Sequence, residues 1–224
     1  IGDAEHRGDQ PGEMGGALPT VDLGTGRTAV AVEAGDFHAC AILDDGTVKC
    51  WGQNDYHVTL GLGWLGGGLS SYAIGDQPGE MGDALPAVDL GPGRTVESLS
   101  ASFTTCALLD TNRVKCWGDN FYGQLGVGDD EPRGDNGAMM GAALPAVDLG
   151  PGRTATAVTA GGTSTCARID DGRIRCWGDN EFGQLGVGNT RHRGSDPADL
   201  GNNLGWVHLF GAGPARCHGR RATV

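Results

Sequence analysis

The sequence predicts an all-β protein: a β-propeller built from four-stranded antiparallel blades, three full repeats plus a partial fourth, and so an incomplete ring in one chain. Three observations predict it. A unit of about sixty residues recurs three times, glycine is abundant while helical periodicity is absent, and cysteines recur in pairs ten positions apart.

The repeat comes first. Segments 40–52, 106–118 and 166–178 align without gaps, the first reading Cys-Ala-Ile-Leu-Asp-Asp-Gly-Thr-Val-Lys-Cys-Trp-Gly. Ahead of each lies a second shared block at 17–24, 84–91 and 143–150, of the form Ala-Leu-Pro-x-Val-Asp-Leu-Gly, with Gly-Arg-Thr shortly after it. Two copies continue as Asp-Asn-x-x-Gly-Gln-Leu-Gly-Val-Gly at 119–128 and 179–188. In the first copy this element has degenerated to 54–63, and extra residues follow around 64–71. The chain thus reads as one repeat domain, 1–224, divided into repeats at 17–76, 84–135 and 143–194. Residues 1–16 form the tail of a preceding unit and 195–224 a degenerate fourth.

Each shared hairpin has a geometry. Pairing about Asp45 sets Leu43 opposite Thr47 and Cys40 opposite Cys50, leaving a three-residue loop. Such loops end on a residue in the left-handed region, and the three copies supply Gly46, Asn112 and Gly172. Alternation from the closing pair makes Cys40 and Cys50 a non-hydrogen-bonded pair, with Cα atoms about 4.5 Å apart, within disulfide reach. Both faces of the hairpin are apolar, which suits a sheet held between neighbouring sheets. Arg168 departs from this and predicts a wetter face on the third copy. Four strand-like runs per unit, in the first copy 18–23, 29–33, 38–43 and 47–51, predict one four-stranded sheet each. Trp51, Trp117 and Trp177 recur in phase and read as repeat-core residues, while Trp64 in the irregular insertion is the candidate exposed contact.

Forty-two glycines among 224 residues suit short strands and many tight turns. A net charge of −12, from 16 Lys and Arg against 28 Asp and Glu, argues against nucleic acid as a partner. No stretch approaches the roughly 18 apolar residues of a membrane span. Neither a signal peptide nor an initiating Met precedes Ile1, so the chain reads as a processed product or fragment.

Seven cysteines fall as Cys40 and Cys50, Cys106 and Cys116, Cys166 and Cys176, plus Cys217. Zinc ligands are the rival reading, but their usual spacing is far shorter than nine intervening residues. Disulfides are favoured, each contributing about 3 kcal/mol in the chain-entropy view. They place the protein in an oxidising compartment, secreted or at the cell surface. Cys217 sits where a fourth repeat's first cysteine would fall.

The pairing of Asp-Gly-x-Val-x-Cys-Trp-Gly with Asp-Asn-x-x-Gly-Gln-Leu-Gly resembles the regulator-of-chromosome-condensation repeat, over about residues 1–194. The Gly-Gln-Leu-Gly element at 123–126 and 183–186 is its most specific part. The resemblance implies a β-propeller that binds proteins through its faces. The paired cysteines and acidic linkers are similar to secreted bacterial versions of the repeat. Relatives include a nucleotide-exchange factor for a small GTPase, chromatin binders and a secreted inhibitor of β-lactamases, so function transfers only by analogy of fold.

Sharper readings lose to plainer ones. Arg7-Gly8-Asp9 and Arg133-Gly134-Asp135 spell an adhesion tripeptide, yet the matching positions read Ile74-Gly75-Asp76 and Arg193-Gly194-Ser195, which marks a repeat-derived turn. Asp129-Asp130-Glu131 lacks the alternating ligand spacing of a calcium loop. Asp44-Asp45 and Asp170-Asp171 are explained by turn formation. Six scattered histidines make no zinc-like pair. The expectation is a non-catalytic protein-binding scaffold with no cofactor, an inhibitor-like binder or a subunit that self-associates or joins further repeats to close the ring. The competing expectations are an enzyme with its site at the central opening and a carbohydrate-binding propeller.

Overall fold

The computed structural model describes residues 2–54, 59–62 and 72–207. Trp64 and Cys217 lie outside the described residues. Three antiparallel sheets follow one another. The first holds β1 (Ala29–Ala34), β2 (His38–Leu43), β3 (Val48–Gln53) and the short β4 (Ala73–Ile74), in that order. The second holds β5 (Val96–Ala101), β6 (Thr104–Leu109) and β7 (Val114–Gly118). The third holds β8 (Ala155–Gly161), β9 (Ser164–Ile169) and β10 (Ile174–Gly178). Among the described residues no α-helix occurs, only 3-10 turns. These are propeller blades, and the ring is not closed.

The three hairpins share one register. Cys40 lies opposite Cys50, Cys106 opposite Cys116 and Cys166 opposite Cys176, each pair with Cα atoms 4.1 Å apart and bridged. Gly46, Asn112 and Gly172 stand at φ 79°, 56° and 84°, and Asn112 is the only non-glycine with positive φ among the described residues. Each first strand carries an irregularity at the same place, between Ala29 and Ala31, Val96 and Ser98, and Ala155 and Ala157. The extra residue there bends the strand.

The fourth strand differs from the sequence reading. Residues 18–23, expected to open the first sheet, form no strand. The equivalent runs instead cover the outer edge of the preceding sheet: Val88 N–H donates to the Val48 carbonyl at 2.8 Å, and Val147 N–H to that of Val114 at 2.9 Å. The far end of the same edge is met by β4 in the first sheet and by single bridges, Gly118 to Arg133 and Gly178 to Arg193, in the other two. The physical reason lies in the block itself. Proline at 19, 86 and 145 removes a donor, and the aspartate three residues on folds back, Asp89 Oδ1 accepting from Gly91 N–H at 2.9 Å. The apolar alternation that imitates a strand buries Leu85, Val88 and Leu90 between sheets.

The core lies between blades rather than within them. Cys40, Ile42, Val48 and Cys50 of the first sheet cluster with Val96, Leu99, Ala107, Leu109 and Trp117 of the second. One repeat later, Cys106, Leu108, Val114 and Cys116 cluster with Ala155, Val158, Ala167, Ile169 and Trp177. Each hairpin thus offers its cysteine face to the tryptophan face of the next. Burying a Leu, Ile or Val there is worth about 1.5–3 kcal/mol, and only a neighbouring blade supplies the burial.

Candidate functional site

Where the first and second blades meet, their loop ends enclose a cavity of about 370 Å³. The β1–β2 turn contributes Asp36 and Phe37, and the β5–β6 turn contributes Ser102 and Phe103. The segment after β7 supplies Asp119, Phe121, Pro132 and Asp135. At the wall stands His38, the first residue of β2.

Apolar surface dominates the mouth. Phe37, Phe103 and Phe121 are 60%, 46% and 77% exposed, and the Phe37 and Phe103 rings meet at a tilt with centroids 6.4 Å apart. Among the described lining residues none is Lys or Arg. Two bonds fix the blades to one another here. Ser102 Oγ donates to Asp36 Oδ2 at 2.8 Å, and the buried His38 Nε2 lies 2.8 Å from Thr105 Oγ1. Burial holds the His38 imidazole below its ordinary value near 6.5, against a weaker opposite pull from the Asp36 charge.

The repeat explains which of these residues are free to vary. Register places Phe37, Phe103 and Thr163 at one turn position, and His38, Thr104 and Ser164 at the start of the second strand. Phe121 corresponds to Glu181 and Asp135 to Ser195. By contrast Asn120 and Asn180 are held by structure. Each side-chain oxygen accepts from a leucine N–H, Leu125 at 2.9 Å and Leu185 at 3.0 Å, while Nδ2 donates to two carbonyls of the following loop. Gly126 lies against Trp177, where an added Cβ would come within 2.7 Å of the indole. The Asp-Asn-x-x-Gly-Gln-Leu-Gly element is therefore a clamp on the next blade's tryptophan.

The other sequence candidates fall to structural roles. Trp117 and Trp177 are fully buried between blades, and Trp51 is partly buried at the open side of the first. Asp44 and Asp45 pair with Arg27 at 3.2 and 2.9 Å, and Asp170 and Asp171 with Arg153 at 3.2 and 3.1 Å. The Thr47 hydroxyl bond lowers the Asp45 carboxyl below its ordinary value, and the Arg173 bond does the same for Asp171. Groups held ionised in this way are poor proton donors. Both adhesion-like arginines fold back, Arg7 onto Asp3 at 2.7 Å and Arg133 onto Asp129 at 2.6 Å. Among the described residues no group of three or more His, Cys, Asp or Glu is placed to hold a metal.

Residues 29–57, 102–124 and 155–184 match the family model of the regulator of chromosome condensation (RCC1) repeat. The chain is built from RCC1 repeats. It is 30% identical over 167 residues to the human E3 ubiquitin-protein ligase HERC2, covering 72% of this chain and 3% of that protein. To the mitochondrial RCC1 domain-containing protein RUG3 of Arabidopsis thaliana it is 29% identical over 166 residues, covering 73% and 33%. The chain thus spans a third or less of these curated relatives. Among solved structures, human WBSCR16 superposes with a TM-score of 0.58 at 20% identity, covering 77% of this chain and 41% of that one. Yeast RCC1 (Prp20), solved with Kap60 bound, gives 0.50 at 19% identity, covering 72% and 32%. These likenesses establish the propeller fold.

The sequence reading overlooked the phenylalanine-lined crevice. Its signal was available as mismatch: Phe103 and Phe121 stand where the third copy has Thr163 and Glu181.

Proposed function

We propose that this RCC1-repeat chain is a non-catalytic protein-binding module that acts in an oxidising compartment, secreted or at the cell surface, with the crevice between its first two blades as the recognition site. One observation carries the reading: three phenylalanines stand exposed around a cavity, at turn positions where the fold does not require them. The disulfides support the compartment. The yeast propeller of the same fold, solved with Kap60 bound, supports protein binding as the mode of action. The test places a photo-crosslinking phenylalanine analogue at position 37 or 121 and exposes the folded chain to extracellular protein from its source. A protein adduct absent when the analogue sits at position 182 supports the site. Equal labelling from all three positions rejects it.

A second role, assembly through the open blade faces, is favoured by one contrast. Val32 is 63% exposed, while its register equivalents Leu99 and Val158 are 6% and 8% exposed, covered by the preceding blade. We infer that a further repeat or a second copy covers this face in the working protein.

A further inference from the structure

Building on the reading of the crevice as a protein-binding site, we propose that its occupant is a basic segment of the partner. One Lys or Arg of that segment enters among Asp36, Asp119 and Asp135, and a neighbouring aromatic or branched side chain covers Phe37, Phe103 and Phe121. The third repeat shows what the second leaves open. There the carboxylate equivalent to Asp119 is Asp179, whose Oδ2 accepts from Thr163 Oγ1 at 3.2 Å; the His192 ring stands 3.1 Å from Oδ1, its Nδ1 accepting from Asn180 N–H at 2.9 Å. In the second repeat those two positions are Phe103 and Pro132, neither of which carries a polar side chain. Among the described residues Asp119 receives bonds to its side chain only from its own following backbone, Asn120 N–H at 2.8 Å and Phe121 N–H at 3.4 Å, both to Oδ1. Its other oxygen takes no hydrogen bond from the described residues, and neither does either oxygen of Asp135.

Three carboxylates facing one cavity repel each other, and no described Lys or Arg in the lining offsets them. Phe103, which stands where the third copy has the Thr163 donor, and Phe121, which stands where it has Glu181, add aromatic rings, whose faces attract a cation. Carboxylate and ring together select a positively charged side chain on an apolar segment. A net charge of −12 gives long-range attraction for such a segment and repels acidic ones. A cavity of about 370 Å³ takes one or two side chains, the scale of a peptide anchor rather than a folded domain.

The test uses blocked peptides of about twelve residues as probes, with binding to the intact oxidised chain followed by calorimetry. One probe alternates Lys with Phe, a second replaces Lys by Glu, and a third replaces Phe by Gly. The Lys–Phe probe is expected to bind at least about tenfold more tightly than either of the others. Phe121→Ala, at an exposed ring, is expected to weaken it about fivefold or more. Asp135→Asn is expected to weaken it about threefold and flatten its salt dependence. Phe182→Ala, an exposed ring outside the cavity, leaves it unchanged. If the Glu–Phe probe binds as well and remains sensitive to Phe121→Ala, the basic partner is rejected while the protein-binding crevice stands. If no probe binds at millimolar concentration, or Phe121→Ala and Asp135→Asn change nothing, both fall.

Discussion

Gly46 and Gly172 occupy the same turn position in two hairpins, at φ 79° and 84°, yet they meet different surroundings. A Cβ on Gly46 would lie 2.6 Å from Thr95 Cβ, whereas a Cβ on Gly172 meets nothing within 4 Å. The difference arises because the Gly46 carbonyl accepts from Val96 N–H at 3.0 Å, seating the loop against the next blade. Gly172→Ala is expected to cost about 1 kcal/mol, from the left-handed backbone alone. Gly46→Ala adds the clash and is expected to cost about 1–2 kcal/mol more. Urea midpoints of the two variants check this, and equal losses contradict it. His38 gives a second prediction. Its buried ring has a folded-state value below 6.5, so the unfolded chain takes up a proton before the native one does. The stability associated with the neutral ring is present above about pH 6.5 and is lost as pH falls toward the lower folded value. His38→Gln is therefore expected to flatten the fall in melting temperature between about pH 7.5 and pH 5. A fall of the same depth in both proteins would show that other groups govern it.

At the scale of strands and loops, legibility follows local constraint. The hairpins could be read because turn chemistry, cysteine register and alternation all act within thirteen consecutive residues, as in 40–52. The fourth strand could not, because the Ala-Leu-Pro-x-Val-Asp-Leu-Gly block answers to a sheet that precedes it in the chain. Alternation reports only that Leu85, Val88 and Leu90 are buried, not which edge they cover. The crevice was illegible for the opposite reason. A repeat is recognised by its matches, and Phe103, Phe121 and Asp135 are mismatches with the third copy. Cys40, Cys50, Cys106 and Cys116 are wholly buried between blades, while the third bridge lies on a face that no described blade covers, with Cys166 partly exposed. Reduction needs a thiolate or phosphine to reach a sulfur. Limited reductant followed by alkylation is expected to open Cys166–Cys176 first, with the other two bridges resisting until the blades separate. Mass mapping that finds Cys106–Cys116 labelled first would contradict the packing order.

For the molecule as a whole, stacking is directional: every cysteine face seeks a tryptophan face. No described blade covers the tryptophan side of the first: Ala41 and Leu43 are buried there, but Val30 and Val32 are exposed, and Leu18, Val21 and Trp51 line a groove of about 570 Å³. The third leaves its cysteine side without a described blade over it, and there Arg168 Nε donates to Thr156 Oγ1 at 2.9 Å. Arg168, alone among its equivalents Ile42 and Leu108, is charged, so the two open faces are not equally matched to an apolar neighbour. Val32→Lys separates burial within the chain from burial by another body. In an isolated 23.0 kDa monomer the charge sits in solvent and stability changes by less than about 0.5 kcal/mol. The same change at Leu99 buries an unpaired ammonium between blades, at a cost of several kcal/mol. If a second copy or a further repeat covers the first blade, Val32→Lys behaves like Leu99→Lys in the assembled protein and shifts native mass toward the monomer. A strict monomer whose stability is indifferent to Val32→Lys, with no further repeats attached, would show that this face works uncovered.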